Sequence, residues 1–242
     1  MSPGAPETRA AIHVSIVIPV FNEEAILHAA IVSLREQLEP HALSYEIVLA
    51  ENGSRDATVS IADGLERKYP ELRHLSIPEP NYGKALKAGI HAARGAIVVC
   101  DEIDLCDVGF YLAAIARVES GVDLVVGSKL VGGAADERPL FRHAASLVYT
   151  RALRLLLGFQ GTDTHGPKAF RRERLLPIVD ACVVDRDVFA SELVIRAYRS
   201  GLRIEELPLR LKELRPPSIN LLRRVPGVLR SLAKLTWAVR RG

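Results

Sequence analysis

Four carboxylates lie within seven residues, directly after the short apolar stretch at residues 95–100. They are Asp101, Glu102, Asp104 and Asp107. A buried strand that ends in clustered acids is costly unless a cation is bound there. Mg²⁺ and Mn²⁺ bind carboxylate oxygens and complete their coordination with water and substrate phosphates. Asp101, Glu102 and Asp104 therefore predict a divalent metal site that holds a nucleoside diphosphate.

A simpler interpretation of the same acids is helix capping. Asp104 and Asp107 come just before a helix that the sequence predicts from Val108, and carboxylates at that position satisfy free backbone N–H groups. Capping requires one acid, however, and this segment carries four. Both interpretations remain open at the level of the sequence.

Strand and helix patterns alternate along the chain, which predicts an α/β fold with a mainly parallel sheet and helices on both faces. Apolar periodicity predicts strands over 13–20, 45–50, 72–77, 95–100, 122–127 and 167–171, an edge strand over 203–211, and helices over 24–38, 57–69, 84–94, 108–119, 140–157 and 189–200. The region 128–136 is rich in glycine and small residues, so we predict a mobile loop over the site.

The polar clusters fall at strand ends, where open α/β sheets bind ligands. Asn22 and Glu23 follow the first predicted strand, Glu51 ends the second, and the segment 101–104 ends the fourth. Because the carboxyl ends of parallel strands meet at one edge of the sheet, we expect these clusters to converge on one rim.

Composition narrows the possible classes of protein. The chain has 242 residues, is 48% hydrophobic and carries a net charge of +3 with its acids and bases interspersed, which indicates one domain without a nucleic-acid footprint. We predict a disordered start over 1–11, a catalytic domain over 12–214 and a separate basic helical segment over 215–242.

Cysteine usage and hydropathy point to the cytoplasm. The three cysteines, Cys100, Cys106 and Cys182, match no zinc or redox spacing. No apolar run reaches the roughly 20 residues that span a bilayer, and the polar N-terminus does not resemble a signal peptide. We expect a cytoplasmic protein that can also lie on the inner face of the cell membrane.

The C-terminal segment has the pattern of a basic amphipathic helix. One face carries Val225, Val228, Leu232, Leu235 and Val239, the other Arg223, Arg230, Lys234 and Arg241, and Trp237 lies toward the boundary. Such a helix either binds an anionic membrane surface or packs on the domain with a wet basic face.

Five ordered motifs carry a resemblance to a known family. They are VIPVFNEE at 17–24, IVLAENGSRDAT at 47–58, NYGKALKAG at 81–89, GSK at 127–129 and DTHGPKAF at 163–170, together with the acidic strand end. The set resembles the family 2 glycosyltransferases with the GT-A fold, and within them the polyprenyl-phosphate (dolichol-phosphate mannose synthase-like) branch. The resemblance covers nearly the whole chain.

The resemblance implies a nucleotide-sugar donor, GDP-mannose or a UDP-sugar, lying across the first strand ends. Glu51 stands where the family usually has aspartate. The implied donor-binding residues are Pro19, Phe21, Asn22, Glu23, Glu51, Asn52, Gly53, Ser54, Asp56, Tyr82, Gly83, Lys84, Asp101 and Glu102.

It also implies an Mg²⁺ or Mn²⁺ cofactor. The family's Asp-x-Asp motif falls on Glu102 and Asp104, and Asp101 is either an extra acid or an alternative register. The cation would act as a Lewis acid on the departing diphosphate, and attack from the opposite face of the sugar would invert the anomeric centre.

The implied acceptor is a lipid phosphate. It would be held by Lys129, Arg142, Ser146, Lys168 and Arg215, with Lys129 in place of the family's usual arginine and Pro216-Pro217 in place of a glycine-containing segment. The implied catalytic residues are Asp104, Lys129 and Glu192. Glu192 orients the site, serves as a base, or only pairs with a neighbouring arginine.

Two other functions stay open. One is a transferase acting on the hydroxyl of a small molecule or a protein, which would need a general base. The other is a nucleotide-sugar-binding scaffold without turnover. A nucleotidyltransferase is disfavoured because no glycine-rich phosphate loop follows a strand.

Overall fold

A computed structural model describes residues 12–131, 135–136, 140–185, 188–211, 230 and 232–240, and only the backbone of 135–136, 140–146 and 210–211. The strands are β1 (Val14–Val20), β2 (Tyr45–Asn52), β3 (Leu72–Ile77), β4 (Ile97–Cys100), β5 (Leu124–Ser128), β6 (Ala135–Asp136), β7 (Lys168–Arg171), β8 (Ile204–Pro208) and β9 (Arg210–Leu211). The helices are α1 (Leu27–Leu38), α2 (Thr58–Lys68), α3 (Tyr82–Ala92), α4 (Val108–Glu119), α5 (Leu140–Leu157), α6 (Arg172–Ala181) and α7 (Phe189–Arg199). Residues 232–240 form a further, C-terminal helix.

The main sheet has the strand order β3-β2-β1-β4-β7-β5-β8. All neighbouring strands are parallel except β7, which runs antiparallel to both β4 and β5. The predicted mainly parallel sheet and the edge position of β8 are therefore confirmed. The first residue of the reversed strand β7 lies at the same edge of the sheet as the last residues of β4 and β5.

Apolar side chains alternate along the strands and build one core on each face of the sheet. On one face, Ile16 and Ile18 of β1 pack with α1, α2 and α4. On the other, Val17 packs with α3, α5, α6, α7 and the C-terminal helix. The predicted helices on both faces are thus confirmed.

The structure differs in detail from the sequence prediction at three places. The sequence pattern did not reveal α6, whose Pro177 interrupts the usual helical signal. The predicted edge strand 203–211 is divided into β8 and β9. Within the region 128–136 expected to be a loop, β6 forms a short parallel pair with β9. Local composition does not predict this pair, because the partner strand is distant in sequence.

The central strand β1 contains a proline at the point where one neighbour ends. Pro19 pairs with Ala50 of β2, whereas the pairing with β4 stops at Val17 and Cys100. A proline removes one ladder hydrogen bond and is normally excluded from central strands. It is tolerated here because β4 gives way to the acidic loop, which begins with the Asp101 amide donating to the Val17 carbonyl at 3.2 Å.

None of the helices in the described part of the chain is both long and apolar enough to cross a bilayer.

Candidate active site

The loops after β1 and β2 are held together by the polar residues that the sequence singled out. Asn22 adopts a positive φ of 53°, and its Oδ1 accepts from the Arg55 amide at 2.9 Å. Its own amide donates to Ser54 Oγ at 3.0 Å. The buried Glu51 carboxylate accepts from the Ser54 amide at 2.5 Å. These bonds fix the two strand ends as one rigid part of the rim.

A second set of bonds continues this contact into α2. The Glu23 amide donates to Thr58 Oγ1 at 2.8 Å, and Asp56 Oδ2 accepts from the Glu24 amide at 3.2 Å. Asp56 Oδ1 also accepts from the Thr58 amide at 3.0 Å. Asp56 therefore holds the turn closed, while the ring of Phe21 at the end of β1 is exposed to solvent.

The N-terminus of α3 is tied to the same rim by two buried asparagines. Asn81 is the N-cap of α3, with Oδ1 accepting from the Lys84 amide at 3.0 Å. The Asn81 amide donates to Asn52 Oδ1 at 3.1 Å, and Asn52 Nδ2 donates to the Val20 carbonyl at 2.9 Å. The first turn of α3, with Tyr82, Gly83 and Lys84, is therefore fixed to the ends of β1 and β2.

Asp101 organises the acidic loop from inside. Tyr111 Oη donates to its Oδ2 at 2.8 Å, and the amides of Glu102 and Asp107 donate to its two oxygens at 2.8 and 3.3 Å. Burial raises the pKa of this carboxyl to about 7, although these donors oppose the shift. Both Asp101 oxygens thus accept hydrogen bonds within the acidic loop, and its predicted role as a metal ligand stays a prediction.

Glu102 and Asp104 differ from Asp101, because both side chains reach solvent at the rim. The surrounding protein nevertheless desolvates the Glu102 carboxyl and raises its pKa, and the charges of Asp104 and Glu23 add to this shift. Lys129 and Lys168 oppose it. Side chains from four separate segments thus act on one carboxylate.

Glu102 and Asp104 fit a metal site whose remaining ligands come from the substrate. In the described part of the chain, no three His, Cys, Asp or Glu side chains are grouped to hold an ion. Two carboxylates, Glu102 and Asp104, suit an ion that takes its remaining ligands from phosphate and water. The capping role belongs to Asp107, whose Oδ1 accepts from the Phe110 amide at 3.0 Å.

Two lysines bring positive charge to the acidic loop. Lys129 follows β5, and its amide donates to Asp163 Oδ2 at 3.4 Å. Lys168 begins β7, is buried, and donates from Nζ to the Gly166 carbonyl at 2.8 Å. Burial lowers the pKa of Lys168. Electrostatic interactions with Cys100, Asp163 and Glu102 oppose this shift and raise the pKa in part.

Glu192 lies in the first turn of α7 and is fully buried. Its Oε2 accepts from the amides of Val183 and Val184 at 3.1 and 2.7 Å, and Oε1 accepts from Arg196 Nε at 2.8 Å. The predicted pairing of Glu192 with a neighbouring arginine is therefore present in the structure. Its predicted roles in orienting the site or serving as a base stay predictions.

Only two of the five predicted acceptor residues, Lys129 and Lys168, have described side chains. Arg215 and the side chains of Arg142 and Ser146 lie outside the described residues. The backbone just before Lys168 lies close to the backbone just before Lys129, since a Cβ on Gly166 would lie 1.9 Å from the Gly127 carbonyl oxygen. Glycine is thus required where the 161–166 loop meets the end of β5.

The C-terminal helix packs on the domain. Leu232, Leu235 and Val239 are buried in the second core, and the exposed face carries Arg230 and Lys234. Within residues 232–240 the apolar face therefore packs on the domain, as the second predicted alternative has it, while Trp237 is exposed. The predicted residues Arg223, Val225, Val228 and Arg241 lie outside the described residues.

Sequence reasoning missed Tyr111 and Asp185. Tyr111 reads as an ordinary core aromatic of α4, and only the fold shows its hydroxyl on Asp101. Asp185 accepts from Asn81 Nδ2 at 3.1 Å across 104 positions of sequence, and no local pattern signals such a contact.

A family model for "Glycosyl transferase family 2" matches residues 15–177, more than half of the chain. The chain belongs to glycosyl transferase family 2. The matched range includes both strand-end clusters, the acidic loop, Lys129 and Lys168. The family predicted from the sequence motifs is confirmed.

Curated relatives agree with this family. The glycosyltransferase AglD of Haloferax volcanii is 30% identical over 239 residues, which cover 96% of this chain and 38% of that protein. This chain thus spans well under half the length of that family 2 relative. A dolichyl-phosphate beta-glucosyltransferase, ALG5A, of Trichomonas vaginalis is 28% identical over 221 residues, covering 85% of this chain and 67% of that protein.

Solved structures support the fold of this family 2 chain. Glucosyl-3-phosphoglycerate synthase from Mycobacterium tuberculosis, in complex with Mn²⁺, UDP-glucose and phosphoglyceric acid, matches with a TM-score of 0.64 and 22% identity over 93% of this chain and 81% of that chain. A second mycobacterial protein matches with a TM-score of 0.62 and 26% identity over 93% of this chain and 76% of that chain. The predicted GT-A fold is confirmed.

Proposed function

We propose that the protein is an inverting, metal-dependent glycosyltransferase that moves a sugar from a nucleotide-diphospho-sugar to a polyprenyl-phosphate-type acceptor. The observation that carries the proposal is the placement of Glu102 and Asp104 after β4, Lys129 after β5 and Lys168 at the start of β7, all at one edge of the sheet. The reversed strand β7 lies between β4 and β5, and this strand order brings the two acids and the two lysines together.

The donor would lie across the ends of β1 and β2. Asn22, Glu51 and Ser54 hold the loops that form this surface, and the exposed Phe21 ring offers an apolar face for a base. The first turn of α3, from Tyr82 to Lys84, supplies further hydrogen-bond donors. We assign donor binding to this surface, with Gly53, Asn52 and Asp56 shaping it.

Glu102 and Asp104 would hold Mg²⁺ or Mn²⁺ together with the donor diphosphate. When bound, such an ion neutralises charge that develops on the departing phosphate. Lys129 and Lys168 add positive charge near Glu102. Their ammonium groups act in a partly desolvated site, where a charge interaction is stronger than in water. The solved mycobacterial synthase, which binds Mn²⁺ and UDP-glucose, has the same fold.

The structure bears on the choice of acceptor through Glu192. A hydroxyl acceptor must lose a proton to a base, whereas a phosphate is already ionised near neutral pH and needs only orientation. Glu192 was the base candidate, and both of its oxygens are engaged. This favours a phosphate acceptor, as does the name of the Trichomonas relative. Lys129, Lys168, Arg142, Ser146 and Arg215 are the residues that we propose to bind it.

A lipid acceptor requires access to a membrane surface, and α5 carries one candidate. Leu147, Val148 and Leu155 are exposed, the last to 87%, and lie with Arg151 on the side of α5 opposite the buried Leu153. An outward face that combines leucine, valine and arginine suits an anionic bilayer surface. We propose that this face of α5, rather than the apolar face of the C-terminal helix, lies on the inner surface of the cell membrane.

The function is tested first by donor binding and then by transfer. Thermal shift with UDP and GDP, each with and without Mn²⁺, should give a rise in melting temperature for one base that depends on the cation. The corresponding labelled nucleotide-sugar, incubated with polyprenyl phosphate, should then give a labelled lipid. Transfer to glycerol or peptide hydroxyls but not to the lipid would contradict the acceptor, and binding without any sugar release would indicate a scaffold.

The membrane surface is tested by vesicle flotation. Leu155→Glu should reduce recovery with vesicles that contain phosphatidylglycerol, because it places a charge in the apolar face. Ser60→Glu on α2, which packs beside β3 at the far edge of the sheet, adds the same charge as a matched control. Equal recovery of the two variants would contradict the assignment of this face.

A further inference from the structure

We propose that Arg196 is a positioning residue for donor binding, which links the C-terminal helix to the first turn of α3 through Glu192 and the segment 183–185. The inference rests on the proposed function, because it concerns the affinity of the same donor site. It assigns to the C-terminal helix a role in donor affinity that its sequence pattern does not indicate.

The link begins at the end of the C-terminal helix. Arg196 Nη2 donates to the Ala238 carbonyl at 3.0 Å, and Nε donates to Glu192 Oε1 at 2.8 Å. The Arg196 side chain is only 12% exposed and that of Glu192 is fully buried. One guanidinium therefore joins a helix terminus to a buried carboxylate in a place where replacing either contact with water is costly.

The second step runs from Glu192 into the segment after α6. The carboxylate accepts the amides of Val183 and Val184, which fixes the path of the backbone just before Asp185. Asp185 in turn contacts α3. Its Oδ2 accepts from Asn81 Nδ2 at 3.1 Å and lies 3.8 Å from Lys84 Nζ.

The third step is a close backbone approach at Gly83. A Cβ on Gly83 would lie 2.5 Å from the backbone carbonyl carbon and oxygen of Asp185. The segment 183–185 is thus pressed directly onto the first turn of α3, and glycine is needed at position 83 to allow this packing. A shift of the segment changes what Asn81 and Lys84 contact.

The last step joins this turn to the strand ends. Asn81 donates from its amide to Asn52, and Asn52 donates to the Val20 carbonyl. A series of hydrogen bonds, joined through the backbone of residues 183–185, therefore runs from Ala238 to the end of β1. Every residue between these ends is buried or partly buried apart from Asp185 and Val183. The buried side chains have little room to rearrange, so we expect a movement of the C-terminal helix to displace the first turn of α3.

The chain offers a matched control for Arg196. Arg199, one turn further along α7, donates from Nη1 to the Val239 carbonyl at 2.8 Å. It makes the same kind of contact with the same helix, but within the described part of the chain its guanidinium does not hydrogen-bond to Glu192. Comparing the two arginines separates the link to the donor site from the anchoring of the C-terminal helix.

The experiment measures binding of UDP or GDP with Mn²⁺ by calorimetry, and KM and kcat for the corresponding nucleotide-sugar, in the full chain. Arg196→Gln should raise Kd and donor KM about fivefold with a smaller change in kcat, a size typical of coupling between sites. Arg196→Lys should recover part of the loss, because it keeps the charge. Arg199→Gln should bind the donor like the wild type.

Asp185→Ala supplies an independent measurement at the other end of the link. It should raise donor Kd by itself, and combined with Arg196→Gln the effect should be less than the product of the two, because both changes break one series of contacts. If Arg196→Gln does not fold, Arg196→Lys and Asp185→Ala decide the question in the same assay.

Three results would overturn the inference. Donor binding unchanged in Arg196→Gln, equal weakening in Arg196→Gln and Arg199→Gln, or fully multiplicative effects with Asp185→Ala would each show that no such link operates. A wild-type chain that binds neither nucleoside diphosphate would overturn the proposed function as well, so the two failures are distinguishable.

Discussion

The two halves of the sheet place their polar residues in different ways. From β1 to β4, each polar cluster follows its own parallel strand, and the clusters meet because the strand ends share one edge. From β5 onward, Lys168 reaches the same edge only because β7 is reversed and inserted between β4 and β5. The half that we propose to bind the donor can therefore be read strand by strand, whereas the half that we propose to bind the acceptor depends on strand order.

The largest expected effect concerns the donor half. Asp104→Asn should lower metal-dependent transfer by roughly 10²- to 10³-fold, the scale of removing one group that stabilises transition-state charge. Steady-state rates at several Mn²⁺ concentrations measure it. Asp107→Asn is the matched control, since asparagine caps a helix as well as aspartate does. If the two variants had equal activity, capping would be the better explanation of both acids.

A smaller effect is expected in the acceptor half. Lys168→Met should lower the transfer rate by roughly 10- to 100-fold, because one positive charge is lost from the rim. Its melting temperature should stay the same or rise, since burial disfavours the charged lysine and lowers its pKa. Activity and thermal unfolding are measured on the same preparation. A large fall in stability with normal activity would make Lys168 a structural residue.

Below the rim, Glu46 gives a prediction about stability alone. Ser15 Oγ, Arg73 Nε and the Arg94 amide donate to this buried carboxylate at 2.6, 2.9 and 2.7 Å. Burial raises its pKa, but these donors outweigh burial and leave the pKa below its usual value. Glu46→Gln should cost about 2 kcal/mol of unfolding free energy at pH 7.

The pH dependence of that cost follows from the direction of the shift. A carboxyl whose pKa is lowered by folding contributes its full stability above the unfolded pKa of about 4.3, and loses it as the pH falls through the folded value. Urea unfolding at pH 7, 5 and 3 should show the same difference between wild type and Glu46→Gln at pH 7 and 5, and a smaller one at pH 3. A difference that did not shrink would mean that the charge of Glu46 is not what stabilises the fold.

The smallest effect is expected at the cap of α4. Asp107→Ala should destabilise the chain by about 1 kcal/mol, the usual cost of losing an N-cap. Because Asp107 also donates its amide to Asp101, thermal unfolding should be followed together with the Mn²⁺ dependence of donor binding. Loss of Mn²⁺ dependence in this variant would extend the metal site beyond Glu102 and Asp104.

The sequence predicted the first half well because its signals are local. The predicted bounds of β3 and α4 agree with the structure, and Asn22, Glu51 and the acidic loop lie at strand ends as expected. The roles of Asp101 and Glu192 could not be read in the same way. The sequence does not show that Tyr111 donates a hydrogen bond to Asp101. It does not show either that the amides of Val183 and Val184 donate to Glu192.

The short reversed strand sets a limit on how the acceptor side can vary. β7 has four residues, and side chains on a strand alternate between its two faces. A shift of β7 by one residue in its register would exchange Lys168 for an apolar neighbour at this edge and turn the ammonium into the opposite core. We therefore expect changes of loop length before residue 161 or after β8 rather than between Gly166 and Lys168.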